Sequence, residues 1–131
     1  MNTTYWLNKI MKTQFVDSAP SLFVGLSSSA PTKDGMGYTE PTKYGYARAP
    51  IGTLTAPENG TVTNENTILF QQSFGVWFPN EAKAKYWLLF DGNGANANLL
   101  SYGALASEQA IGDQDVVIIP AGRLTFSLSD A

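Results

Sequence analysis

Between Thr4 and Phe15 the apolar residues recur at helical spacing. Tyr5, Trp6, Ile10, Met11 and Phe15 fall toward one side, and Asn8, Lys9 and Lys12 toward the other. This predicts a short helix within residues 1–17. Thr3 or Thr4 supplies the N-cap, because a hydroxyl there accepts a hydrogen bond from a free N–H of the first turn. Lys12 suits the negative end of the helix dipole. Asp17-Ser18-Ala19-Pro20 ends the helix, since proline cannot continue it and pushes its predecessor into an extended form. The apolar stripe of such a helix either closes one end of its own core or docks on a neighbour. A helix ahead of the first strand is not needed to complete a sandwich of sheets. Deletion of the residues before Asp17 is therefore expected to leave the sheets folded.

After Pro20 the period changes to two. Leu22, Val24 and Leu26 alternate, with Phe23 on the opposite face, and predict a strand. A long segment from Ser28 to Lys43, rich in Pro and Gly, reads as a loop of functional length. Strand signals then recur at Tyr44–Arg48, Ile51–Thr55, Thr61–Thr63, Thr67–Phe70 and Gly75–Phe78. Asn59-Gly60 is a hairpin-type turn dipeptide, because both residues tolerate positive φ. Ala84–Phe90 is the strongest apolar run and reads as a central strand buried on both faces. Asp91-Gly92-Asn93-Gly94 reverses the chain into a return strand at Asn98–Gly103. Asp115–Ile119 and Leu124–Leu128 follow, separated by the turn Pro120-Ala121-Gly122. Short strands with turn chemistry every 8–12 residues predict a mainly β chain: an antiparallel, jelly-roll-like sandwich over 21–128, preceded by the short helix, in a single domain 1–131. The expected core holds Leu22, Val24, Leu26, Leu69, Trp87, Leu89, Leu100, Ile118, Phe126 and Leu128.

Composition supports this and removes several function classes. The 131 residues are 44% hydrophobic and 15% charged, with 12 Gly and 7 Pro. An ordinary domain carries about 25% charged residues, so this is too apolar for disorder and too thinly charged for long solvated helices. Net charge is −3 and the eight basic residues are scattered, which argues against nucleic acid. There is no stretch of about 18 apolar residues to span a membrane, and no signal peptide is read. Asn2-Thr3-Thr4 and Asn59-Gly60-Thr61 match the glycosylation pattern, which has no use without secretion. With neither Cys nor His, the chain lacks thiolate nucleophiles, the commonest general base and the commonest transition-metal ligand.

The carboxylates fall mostly in turns beside Gly, Pro or Asn, where they are solvated or bond their own backbone. A glycosidase would need two of them facing across a cleft. Asp91-Gly92-Asn93-Gly94-Ala95-Asn96 lacks the ligands that complete a calcium loop and reads as a turn. No catalytic residue, cofactor site or metal site is expected. The segment from Met36 to Arg48 stands out instead. Tyr38, Tyr44, Tyr46 and Arg48 sit among glycines, and Tyr and Arg are favoured anchors of interfaces. The alternative is that Tyr44 and Tyr46 share one strand face and cover the edge of the core. With Tyr5, Trp6, Ile10 and Met11 of the helix, these four are the expected partner-binding residues.

The order of motifs is similar to a known family. A Trp-Leu-Asn-Lys helix precedes Leu22-Phe23-Val24-Gly25-Leu26-Ser27 and Ala30-Pro31-Thr32-Lys33-Asp34-Gly35. Thr39-Glu40-Pro41, Gly45-Tyr46-Ala47-Arg48 and Tyr86-Trp87-Leu88-Leu89-Phe90-Asp91 come next. The series ends with Asn98–Leu105, Gly112-Asp113 and Ile119-Pro120-Ala121-Gly122-Arg123-Leu124. In this order they resemble short tailed-bacteriophage virion proteins, often labelled tail fibre proteins, over nearly the whole chain. Gln114-Asp115 before Val116 departs from the pattern. The resemblance implies a non-enzymatic virion component of the tail, collar or capsid surface, where it would act as decoration. Such a protein is assembled in the host bacterial cytoplasm and acts through contacts with other virion proteins and, as a homo-oligomer, with its own copies. It implies no catalytic residues. The rivals are a module at a fibre tip that binds a host receptor or surface glycan, and a small tail-associated glycan hydrolase.

Overall fold

A computed structural model of the chain describes residues 3–128, so Asn2 of the first glycosylation pattern lies outside the described residues. In chain order it contains α1 (Thr4–Met11), a π-helical turn (Lys12–Val16) and a 3-10 turn (Ala19–Ser21). The strands are β1 (Phe23–Ser27), β2 (Ala49–Pro50), β3 (Thr61–Thr63), β4 (Ile68–Leu69), β5 (Ala84–Phe90), β6 (Leu99–Gln109), β7 (Ile118–Ile119) and β8 (Thr125–Ser127). The chain is mainly β, with antiparallel pairing of β1 with β5, β5 with β6 and β3 with β8, and one short N-terminal α-helix. Among the described residues, no helix is long and apolar enough to cross a membrane. The fold divides into two compact units.

Within the described residues, one unit comprises 3–22, Pro50–Ile68 and 119–128. Thr3 caps α1, its Oγ1 accepting from the Trp6 N–H at 3.2 Å. The inner face of α1 belongs to its own unit. Met11 is 1% exposed, and Asn8 Oδ1 accepts from the Gly60 N–H at 2.7 Å. A Cβ on Gly60 would lie 3.2 Å from that of Leu7. Just beyond α1, the Phe15 ring stacks on Phe126 at 5.5 Å. Asn59 and Gly60 both have positive φ, 54° and 74°, which forms the predicted turn into β3. β3 then pairs with β8, placing Val62 opposite Phe126.

Asn64, 1% exposed, ties its own segment to the Pro120–Leu124 turn of this unit. Its Oδ1 accepts from Leu124 N–H at 2.9 Å, and its Nδ2 donates to the carbonyls of Asn66 and Pro120. A buried amide is tolerated because its hydrogen bonds are made.

The other unit comprises Phe23–Ala49 and Leu69–Ile118. Its sheet has the order β2-β1-β5-β6, with Ala49 of β2 at one edge and β6 at the other. Leu26 lies opposite Trp87 and Val24 opposite Leu89, so β1 and β5 form the centre. Leu88, Leu89 and Phe90 are fully buried, as the unbroken apolar run of β5 predicts. Gly103 of β6 lies opposite Trp87, and a Cβ there would come within 2.6 Å of the indole. The glycine makes room for the ring.

Several expectations are corrected. Leu69, Leu100 and Ile118 are 61%, 47% and 48% exposed, while Ile68, Phe70, Val117 and Ile119 are buried. Strands have a period of two, so assigning a short apolar run to the wrong face by one residue inverts every side chain in it. Trp87 and Leu128 are half-buried rather than core. Tyr44–Arg48, Ile51–Thr55 and Gly75–Phe78 are not strands. Left-handed φ at Tyr44, Gly45 and Gly52 bends the first two, and only a single bridge, Leu54 to Asn64, remains of the second.

Candidate functional site

The site is built on Gly25 in the middle of β1. A Cβ there would lie 2.7 Å from both Glu40 Oε2 and the Tyr46 hydroxyl, so a side chain at this position would displace both groups. The loop after β1 is fastened at its root: Ser28 N–H donates to Thr39 C=O at 3.1 Å, and Thr39 N–H to Ser27 Oγ at 2.9 Å. The next residue, Glu40, is thereby brought over the sheet. Tyr46 donates its phenol proton to Glu40 Oε2 at 2.5 Å and accepts from Leu26 N–H at 3.0 Å. Arg48 donates to both carboxylate oxygens of Glu40, from Nη2 at 2.7 Å and from Nε at 3.1 Å. Its Nη1 reaches Gly94 C=O at 2.9 Å, and the guanidinium lies 3.5 Å over the centre of the Phe90 ring. The Arg48 and Glu40 side chains are only 10% and 13% exposed.

The electrostatics follow from this enclosure. Burial, reinforced by the Glu40 charge and hydrogen bond, pushes the Tyr46 phenol well above its ordinary value, so it remains a proton donor. Burial alone would lower the Arg48 value, but the hydrogen bond and charge of Glu40 outweigh it and leave it raised. In the turn that Arg48 touches, Asp91 accepts from the Asn98 side chain at 2.9 Å and from its N–H at 2.7 Å, which lowers its carboxyl below the usual value. Both Asp91 oxygens thus close the turn. A cavity of about 340 Å³ opens beside Arg48, Ala47 and Asn93–Ala95. The carboxylate, phenol and guanidinium on its wall already bond one another. Chemically this is a charge-assisted clamp that ties the loop and the β5–β6 turn to the sheet.

The predicted partner residues separate into inward and outward groups. Tyr46 and Arg48 have their polar ends inside the clamp, and Tyr38 is half-buried with its ring edge-on to Phe90 at 5.6 Å. Tyr44 points outward. It adopts φ of 59°, is 44% exposed and meets Phe74 edge-to-face at 6.1 Å. Its carbonyl accepts from Phe74 N–H and from the Trp77 indole at 2.9 Å. On α1, Tyr5 and Trp6 are 74% and 48% exposed, Ile10 is half-buried and Met11 is core. Trp6, Lys9, Ile10, Thr13 and Gln14 line a shallow groove of about 200 Å³.

Sequence reasoning missed Glu40 and Phe74. Glu40 beside Pro41 looked like one more solvated turn carboxylate. Phe74 carried one signal, the Gly75 after it, where a Cβ would strike the Tyr44 ring at 2.4 Å.

Comparison with curated proteins gives no match. A family model described as podophage GP4 fiber I protein gp80 matches residues 2–127. The match spans both units and agrees with the mainly β, antiparallel architecture. The chain therefore belongs to the gp80 family of podophage GP4 fiber I proteins and is a bacteriophage fibre-type virion protein.

Proposed function

We propose that the chain is a non-enzymatic structural component that joins the fibre to other virion subunits, and to its own copies, through protein interfaces. The outward face of α1 is the attachment surface in this reading. The observation that carries it is the exposure of Tyr5 and Trp6, at 74% and 48%, on a helix whose opposite face is already occupied by Gly60 and Val62-bearing β3 within its own unit. Aromatic residues left outside after a helix has satisfied its own core are the type that anchors interfaces. The hydrogen-bonded state of Glu40, Tyr46 and Arg48 supports a positioning role for the clamp rather than acid–base chemistry. Attachment to tail, collar or capsid surface are equally served by this face.

The second reading, a receptor- or glycan-binding tip, is favoured by the Tyr44–Phe74 pair. Two open rings held at 87° to one another form a rigid apolar ledge, and the left-handed Tyr44 that presents it is backbone strain of the kind found at binding sites.

The experiment is assembly of particles with Tyr5→Ala/Trp6→Ala protein. We expect an unchanged unfolding midpoint and loss of the protein from purified particles. Normal incorporation would overturn the attachment reading. If that variant incorporates normally but Tyr44→Ala/Phe74→Ala particles lose adsorption to cells, the tip reading replaces it.

A further inference from the structure

The edge of the sheet in the second unit has a regular central stretch, Ser101–Ala104, without charge, proline or bulge. β6 runs from Leu99 to Gln109, is the last strand in the order β2-β1-β5-β6, and among the described residues pairs on one side only, with β5. Natural edge strands are kept from pairing by lysines, prolines, inward charges or brevity. β6 is 11 residues long and carries no charge and no proline from Leu99 to Ser107. Its exposure alternates, with Leu100, Tyr102, Ala104 and Ala106 exposed and Leu99, Ser101, Gly103 and Leu105 half-buried. Leu100 and Tyr102 are 47% and 39% exposed, which leaves apolar area beside a row of backbone donors and acceptors.

We infer that β6 is a homotypic interface: two copies of this chain pair antiparallel along β6, about a two-fold axis through Gly103, to extend the sheet. The occupant is identified by self-complementarity. A two-fold axis normal to the sheet sets each residue opposite one of the same face. Centred on Gly103, it places Tyr102 opposite Ala104 and Leu100 opposite Ala106. Each large side chain meets a small one. The register irregularities of β6 against β5 fall outside Ser101–Ala104, the regular stretch on which this pairing is centred. The inference deepens the proposed function by naming where copies meet. It lies on a different unit from the α1 face, so each can fail without the other.

The chain has no cysteine, so introduced thiols report this contact without background. Single variants Tyr102→Cys and Ala104→Cys are purified, mixed under mild oxidation and compared with each alone. The expected result is a disulfide-linked dimer that forms faster in the mixture than in either variant alone, because directly opposed strand residues lie within disulfide reach. Sedimentation of the unmodified chain should give a dimer, and Leu100→Lys/Tyr102→Lys a monomer with unchanged circular dichroism. A monomeric unmodified chain, a closed trimer, or equal rates in the mixture and the single variants would overturn the inference. Should the lysine variant misfold, the thiol experiment decides alone. Loss of dimer with retained entry into particles would leave the attachment reading standing.

Discussion

Replacing Glu40 by Ala tests the clamp most directly. The substitution leaves the Arg48 guanidinium, 10% exposed, with Gly94 C=O and the Phe90 ring as its remaining neighbours, and removes the acceptor of the Tyr46 phenol. Removing one partner of a buried ion pair costs about 3–5 kcal/mol. The retained carbonyl and ring place this case near the lower end, about 3 kcal/mol. With a urea dependence of about 1–3 kcal/mol/M for a small protein, the midpoint should fall by about 1–3 M. Arg48→Met should cost a similar amount, since it leaves Glu40 bonded only to Tyr46. The double variant Glu40→Met/Arg48→Met should cost less than the two single losses together, because an apolar pair needs no charge compensation. Amide exchange read by mass spectrometry should locate the effect, with faster exchange across residues 26–49 and little change across 50–68. Losses below about 1 kcal/mol in both single variants, the range of solvent-exposed pairs, would refute the reasoning.

Two further outcomes follow from the packing. Asn64→Ala removes the acceptor of a buried Leu124 N–H and the donor to two carbonyls, and should cost about 3 kcal/mol in thermal or urea unfolding; a loss below about 1 kcal/mol would show that water replaces the amide. The raised value of the Tyr46 phenol has an alkaline consequence. Between its ordinary value of 10.0 and its higher folded value, the unfolded chain has lost the proton and the folded chain keeps it, so stability should fall as pH rises above about 10. Tyr46→Phe should lose stability at neutral pH, because Leu26 N–H loses its acceptor, yet show a shallower alkaline decline; an identical slope would separate the decline from this residue.

Local chemistry made much of this protein legible in its sequence. The cap at Thr3, the Asn59-Gly60 turn and the apolar run of β5 are consequences of neighbours along the chain, and each appears where expected. The helical period located α1 but not its faces: Tyr5 and Trp6 lie outside, while Asn8, read as outward, bonds the Gly60 N–H beside the buried Met11. Absence of His and Cys and the scatter of charge were equally plain, and the order of motifs pointed to the fibre family that the family match establishes. Two apolar residues in succession, such as Ile68 and Leu69 or Ile118 and Ile119, do not say which is inside. That depends on which face of a short strand meets the core, and neither residue's chemistry distinguishes the two. Likewise Glu40, Tyr46 and Arg48 are within a few residues of each other, but their pairing needs the Gly25 backbone beneath them and the Phe90 ring beside them, contributed from 15 or more positions away. Sequence alone determined the turns at Asn59-Gly60 and after Phe90, the extended β1, β5 and β6, and the lack of Cys and His side chains. Only the tertiary structure decided that the polar ends of Tyr46 and Arg48 point inward while the rings of Tyr44, Tyr5 and Trp6 point out, because burial is a property of distant segments packed together rather than of the residue that is buried.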